Sequence, residues 1–450
     1  MMTTYSDQEH RPVRAAVHVY IPLFTFRPMQ FRRRLLRSEG WRSVTPETQF
    51  YTRYVERIFQ AHSSKSANAL TVNCLVMQND SVCEELLVRG RRVLLSGVRL
   101  YCFDTSIAFL DFRVAMENTD MNTVADVCSH LRLTSDKTLQ RQILRQDAEA
   151  QGTETYEKIS LNTIAKGILS RLGKYRLFDH LGQTKTTRAE LFATVIADGA
   201  EIGDPNLHLY RIAAGLDARY QGEVPEDTIF SHHSHIRWAV TSKGACSMGI
   251  LTDDPTNRGF VCDKWMGISE SRHVLWYMLT MHQKYAMFHY LNEIAERSNL
   301  TDLRSYQRRI VLFNAKYRFE VISEDPTYQT PYQMARDAKS VENVFEDIDE
   351  KIERINDYHN VTADKNNVVA MTIVSLVCAI STFIDIFEWG GVSIGAALGS
   401  MSFDRLVLLG VIVLAMSVAI ALLVIKPLLQ WLFHRLKNCF YHVLERFFYH

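Results

Sequence analysis

Thr372, Ser375, Ala379 and Thr382 recur at a spacing that places them on one side of a helix, and the stripe leads to Asp385 and then Glu388. Small hydroxyl side chains ending on carboxylates form a lining through which cations pass. The same small residues also let membrane helices pack closely, so the stripe serves either role. Asp385 sits near the end of an apolar run, where a carboxylate is costly unless it faces water or a partner, and an interfacial position is the alternative. Asn366, with Asn367, stands just before that run, either at a cytoplasmic mouth or at an interfacial break.

Three other clusters offer chemistry. The stretch around residue 346 is acidic, and Glu346, Asp349, Glu350 and Glu353 repeated around an oligomer axis would concentrate cations or bind a hard ion such as Mg2+ through oxygen. Each of them is equally suited to a solvated helix face. Arg32, Arg33, Arg34 and Arg37 form a basic run able to hold phosphates through paired contacts, or to make an exposed basic face. His232, His233 and His235 have spacing suited to a transition metal, but without a nearby Cys or carboxylate a solvated turn is the favoured reading. No phosphate-binding Gly-Lys-Ser/Thr loop, Gly-x-Gly-x-x-Gly, Gly-x-Ser-x-Gly or His-Glu-x-x-His occurs, which argues against an enzyme and implies no certain cofactor.

These residues need elements to hold them. The run "VVAMTIVSLVCAISTFIDIF" and the run "LVLLGVIVLAMSVAIALLVI" each have the length that crosses a bilayer, predicting transmembrane helices over 367–387 and 406–426. The tail after them carries Lys426, Arg435, Lys437 and Arg446, whereas the intervening segment carries Asp385, Glu388 and Asp404, so both termini are expected in the cytoplasm. Aromatic residues among the basic ones predict an amphipathic tail over 427–450 on the inner surface of the plasma membrane. Before the first run, Val341, Phe345, Ile348, Ile352 and Ile355 alternate four and three apart, a seam predicting self-association about a symmetry axis, with packing on the protein's own domain as the alternative. No Pro or Gly interrupts 335–389, so one helix is expected to run from the cytosol into the membrane.

Upstream, strand-like runs begin at Arg14, Ala69, Arg92, Ser106 and Ile236, and helical runs near Glu47, Asn122, Tyr156 and Ser271. The expected fold is an α+β membrane protein: a cytosolic α/β sensor domain over 1–262, a helical bundle and stalk over 263–366, and two C-terminal transmembrane helices joined by an external loop over 388–405. A formal net charge of +1 argues against direct nucleic-acid binding, and eight cysteines without a Cys-x-x-Cys pair fit a reducing compartment. The first residues also lack the apolar core of a signal peptide.

A cytosolic domain, a stalk helix, two spans and a basic end together resemble the CorA-like family of divalent-cation channels, from about Leu303 to His434. That resemblance implies a homopentamer in a lipid bilayer whose first span lines the pore. The family's Gly-Met-Asn element is absent, its place reading Phe387, Glu388, Trp389, Gly390, Gly391, so magnesium selectivity does not carry over. The missing element and enlarged domain resemble the branch that accompanies prokaryotic antiviral systems, including type III CRISPR loci, implying a channel gated by a small nucleotide second messenger. A housekeeping divalent-cation transporter and a non-conducting, membrane-anchored signalling protein are the alternatives.

Overall fold

The computed structural model describes residues 13–60, 72–143, 155–177, 188–200, 202–296 and 300–357, together with positions 370, 371 and 374. The chain divides into two compact units, Met1–Glu350 and Lys351–His450. The first is built on one large sheet. Its strands are β1 (Val13–Thr25), β2 (Arg42–Ser43), β3 (Cys74–Asn79), β4 (Glu84–Val88), β5 (Arg91–Phe103), β6 (Ile107–Thr119), β7 (Leu139–Ile143), β8 (Thr155–Ile159), β9 (Tyr175–Leu177), β10 (Glu190–Asp198), β11 (Ile229–His233), β12 (Ile236–Val240) and β13 (Gly244–Leu251). They run in the order β11-β12-β13-β10-β1-β6-β5-β4-β7-β8, with β3 also on β5, β2 on β3, and β9 on β1.

Strand β1 sets the centre. Val17, Val19, Ile21 and Leu23 point to one face and join a continuous aliphatic core, while His18 and Tyr20 point to the other. Pro22 lacks an N–H; it stands opposite Phe109 on β6, and on its other side it falls between the end of the β10 pairing at Tyr20 and the start of the β9 pairing at Leu23. The β5–β6 hairpin turns at Asp104 to Ser106, with Ser106 in the left-handed region at φ 73°. Among the described residues every strand pairing is antiparallel except β10 with β13, whose connection carries a helix. The expected α/β arrangement is therefore corrected to a largely antiparallel sheet with helices on both faces.

The aliphatic face is covered by α1 (Pro28–Arg37), α3 (Met121–Leu131), α4 (Leu161–Leu169) and α5 (Pro205–Ala214), through residues such as Phe31, Val124, Leu169 and Ile212; α2 (Arg53–Phe59) stands apart from that core. Local chemistry fixes their starts: Asp120 accepts from the Thr123 amide at 2.9 Å, and Ser160 from the Thr163 amide at 3.2 Å. The stretch from Tyr156, expected as one helix, is split by that Ser160 cap, because residues 155–159 pair with β7 as β8. The helix expected from Glu47 begins only at Arg53.

On the opposite face a continuous helical run comprises α6 (Pro255–Phe260), a π-turn over Val261–Trp265, α7 (Met266–Ile268), a second π-turn over Ser269–His273, and α8 (Val274–Glu296). The wider turns bring Glu270 onto Arg113, bonded twice at 3.0 Å, and the Ser269 hydroxyl to 2.6 Å from that of Thr194. Then come α9 (Leu300–Tyr317), α10 (Pro326–Ala338) and α11, residues 341–357, of which the first ten lie in this unit.

Two expectations about the C-terminal half change. Among the described residues no helix is long and apolar enough to cross a membrane, so the expected fold of a domain leading into two transmembrane helices is corrected to a sheet domain with surrounding helices. The long helices that are described carry charge: α8 holds Lys284 and Glu293, and α9 holds Arg308 and Lys316. The segments 367–387, 388–405, 406–426 and 427–450 lie outside the described residues apart from the three positions above. The uninterrupted helix expected from 335 is also broken: α10 ends at Ala338, and Ser340 turns the chain at φ 51° without any Pro or Gly.

Candidate ligand cleft and its buried anchors

The residues expected to line a pore, Asn366, Thr372, Ser375, Thr382, Asp385 and Glu388, lie outside the described residues. The basic run does not form one face. Arg32 is buried, and its guanidinium donates to the carbonyls of Val72 at 2.7 Å and Asn73 at 2.8 Å and to that of Cys102. Its expected phosphate-binding role is corrected to a structural one, because those donors are already occupied. Arg33, Arg34 and Arg37 remain exposed on α1. His232, His233 and His235 fall at the β11–β12 hairpin, the rings of His233 and His235 stacked at 5.7 Å. No group of three His, Cys, Asp or Glu side chains among the described residues is arranged to hold a metal ion.

The acidic stretch before the membrane-like runs separates into two kinds of position. Glu346, Glu350 and Glu353 are exposed, and Asp349 is half-buried, accepting from Arg318 at 2.8 Å and from the Asn314 amide at 3.2 Å. Arg318 also pairs with Glu342, which Arg336 reaches from α10, and its guanidinium lies 4.8 Å over the Phe345 ring. Partial burial works against the Arg318 charge, but the Glu342 and Asp349 carboxylates outweigh it and hold the group above its ordinary value. The seam residues Val341, Phe345 and Ile348 are fully buried within this unit, and Phe345 meets Phe313 at 6.3 Å. For Val341, Phe345 and Ile348 the structure therefore shows the alternative, packing within the protein's own domain, with Phe345 against α9, while Ile352 and Ile355 of the same seam are half-buried and belong to the second unit.

Arg318 has a second surface. With Tyr54, Arg57, Lys316, Phe319 and Val321 it lines a cleft of about 710 Å³ between α2 and the end of α9. Backbone ties fix its walls: the Thr52 amide donates to the Ile322 carbonyl at 2.8 Å, and the Ser323 hydroxyl to that of Phe50 at 2.6 Å. The Tyr54 and Phe319 rings meet at 5.0 Å, and Tyr54 keeps 43% of its surface exposed. Arg57 is exposed and makes no ion pair among the described residues; Lys316 pairs with Asp104 at the β5–β6 turn. Aromatic faces and guanidinium groups therefore converge on one opening, a combination suited to a flat anion.

Behind the cleft, the sheet face under α8 carries a cross-strand row of polar residues, in register from Glu190 on β10 through Tyr20, Asp111, Arg99 and Gln78 to Arg42 on β2. His18 lies within 3.0 Å of both Asp111 oxygens; an ionised carboxylate only accepts, so the Nδ1–H donates, and Nε2 is left buried without a partner. At the inner end, Glu190 accepts from the hydroxyls of Tyr285 at 3.2 Å and Tyr277 at 3.3 Å. It also accepts from the ammonium of Lys339 at 2.7 Å. Burial alone would raise the Glu190 carboxyl, but Lys339 and Lys284 override it and bring it to about 2. Burial also pulls Lys339 down to about 8 against the attraction of Glu190, which leaves both groups charged at neutral pH. Lys339 immediately follows α10, so this pair pins the break before α11 to the middle of the sheet and explains why the helix stops without Pro or Gly.

Sequence reasoning missed both features. The polar alternation of His18 and Tyr20 along β1 was the available signal for the row; nothing local marks Arg57 and Arg318 as neighbours. No protein-family model matches the chain, and neither a curated protein nor a solved structure matches it.

Proposed function

We propose that the chain is a ligand-controlled effector acting at a lipid bilayer, in which the sheet unit senses a signal and the C-terminal hundred residues carry out the response as a cation-conducting homo-oligomer. One observation carries the reading: Arg318 lines the open cleft and at the same time grips Glu342 and Asp349 on α11, the helix that leads toward the C-terminal region. A change in the cleft has a direct route to that helix. The output is inferred from the sequence, where the apolar run over 368–387 carries Asp385 near its end and Glu388 just after it, ahead of the second run over 406–425. The resemblance to CorA-like channels of antiviral systems supports a small nucleotide as the class of signal and a divalent or other cation as the cargo.

The test is flux through the full chain reconstituted in vesicles loaded with a cation-sensitive dye. Conduction that falls by an order of magnitude in Asp385→Asn supports the reading; vesicles that remain tight under every ligand would end it. A second reading, a non-conducting signalling protein held at the membrane, is favoured by the burial of Val341, Phe345 and Ile348 inside their own unit, which removes the seam as a reason to oligomerise. Mass measurement in detergent separates the two, since a monomer fits only the second.

A further inference from the structure

The geometry points to the α2–α9 cleft as a binding site for a small anion attached to a flat ring, which takes Arg318 from Glu342 and Asp349 and so loosens the start of α11. This rests on the reading above that the unit senses a ligand, and it supplies the site and the coupling.

The size of the cleft, about 710 Å³, is of the order that holds a mononucleotide-sized molecule. Tyr54 and Phe319 offer ring faces at its wall, and Tyr54 is open to solvent. Three cations and one exposed carboxylate, Glu320, line the same space, and the cations differ in how they are held. Arg57 makes no ion pair among the described residues, Lys316 has Asp104, and Arg318 has two carboxylates on α11. A phosphate or carboxylate first meets Arg57. It then competes for Arg318, whose planar fork binds a second anion as readily as the first. The competing pairs are partly exposed, with 30% exposure for Arg318 and 46% for Asp349, so water screens them and they are weak enough to exchange. When Arg318 leaves, Glu342 keeps the charged Arg336 whereas Asp349 keeps only the neutral Asn314 amide, so α11 loosens at Asp349 first.

The competition has a thermodynamic signature. If a ligand and Asp349 contend for one guanidinium, removing the carboxylate strengthens ligand binding, and ligand binding weakens the hold on α11 by the same factor. A cleft that merely fills with ligand gives no such gain.

The experiment uses the full chain in detergent with AMP, adenosine and inorganic phosphate as probes, titrated by calorimetry, with amide exchange followed over residues 341–350. AMP is expected to bind at least tenfold more tightly than either half-molecule. Affinity should fall about tenfold in Arg57→Gln and in Tyr54→Ala, both exposed positions, and rise severalfold in Asp349→Asn. Exchange over 341–350 should quicken when AMP is bound. No binding at millimolar AMP, or affinities unchanged in all three variants, would overturn the site; loss in Asp349→Asn would overturn the competition. Cation flux is measured separately, so a silent vesicle with intact AMP binding counts against the proposed function and leaves this site standing.

Discussion

Arg32 takes a charge into the core because three carbonyls, those of Val72, Asn73 and Cys102, meet its guanidinium where β3 and β5 run side by side. Replacing it with Met leaves those carbonyls without their donors, and about 3 kcal/mol of stability should be lost in a urea melt. Lys should not restore it, since a single ammonium cannot span the three acceptors. Two other buried groups give the fold an acid dependence over two overlapping windows. Burial brings His273 down to about 3, the ring stacked 4.6 Å from Tyr328. The unfolded chain therefore binds a proton below the ordinary value of 6.5 that the folded chain refuses, and stability falls as pH drops from 6.5 toward 3. Glu190 is the opposite charge type with the same sign of effect: its depressed carboxyl contributes stability that is complete above the ordinary 4.5 and is lost toward about 2. Thermal melts across pH should show His273→Phe flattening the upper window. Glu190→Gln should flatten the lower one and cost about 3 to 5 kcal/mol at neutral pH, because it strands the buried Lys339 ammonium. Melting curves for His273→Phe that track the native protein from pH 6.5 downward would remove His273 from this account.

At the scale of elements, what could be read in advance depended on how local the determinant is. β1, the β5–β6 hairpin and β12–β13 announced themselves by β-branched and aromatic alternation, and α3 by the helical run that starts near Asn122. The seam of α11 was visible as a pattern, but a pattern of apolar residues does not name its partner. For Phe345 that partner is Phe313 on α9. The break at Ser340 was invisible for a related reason: its cause, Glu190, lies about 150 residues away on β10, and only the register of the sheet brings it under Lys339. The cleft shares that property, since α2 and α9 come from distant parts of the sequence. The packing makes two predictions. Phe345→Ala should destabilise the unit by about 3 to 5 kcal/mol, as for other aromatic core truncations, and leave the oligomeric state in detergent unchanged. Ser340→Gly should stabilise or be neutral in the same melts, because a residue at φ 51° gains from losing its Cβ by up to about 1 kcal/mol.

At the scale of the whole molecule, the division between Met1–Glu350 and Lys351–His450 places the sheet, its aliphatic core and every helix from α1 to α10 in the first unit. That unit has its own charged row, its own cleft and its own cover for the α11 seam, which are the ingredients of independent folding. A chain shortened after Asp357 should therefore unfold in one cooperative transition and sediment as a monomer. The seam, read from its spacing alone, predicts the contrary: a helix presenting Val341, Phe345 and Ile348 outward would draw copies of this fragment together. The two expectations separate cleanly in an ultracentrifuge. A monomeric fragment beside an oligomeric full-length chain would assign assembly to residues after 357, where the two apolar runs lie, and would place the oligomer contact and the proposed response in the same part of the chain. An oligomeric fragment would instead mean that α9 releases the seam, and the internal packing of Phe345 against Phe313 would then describe only one of two states.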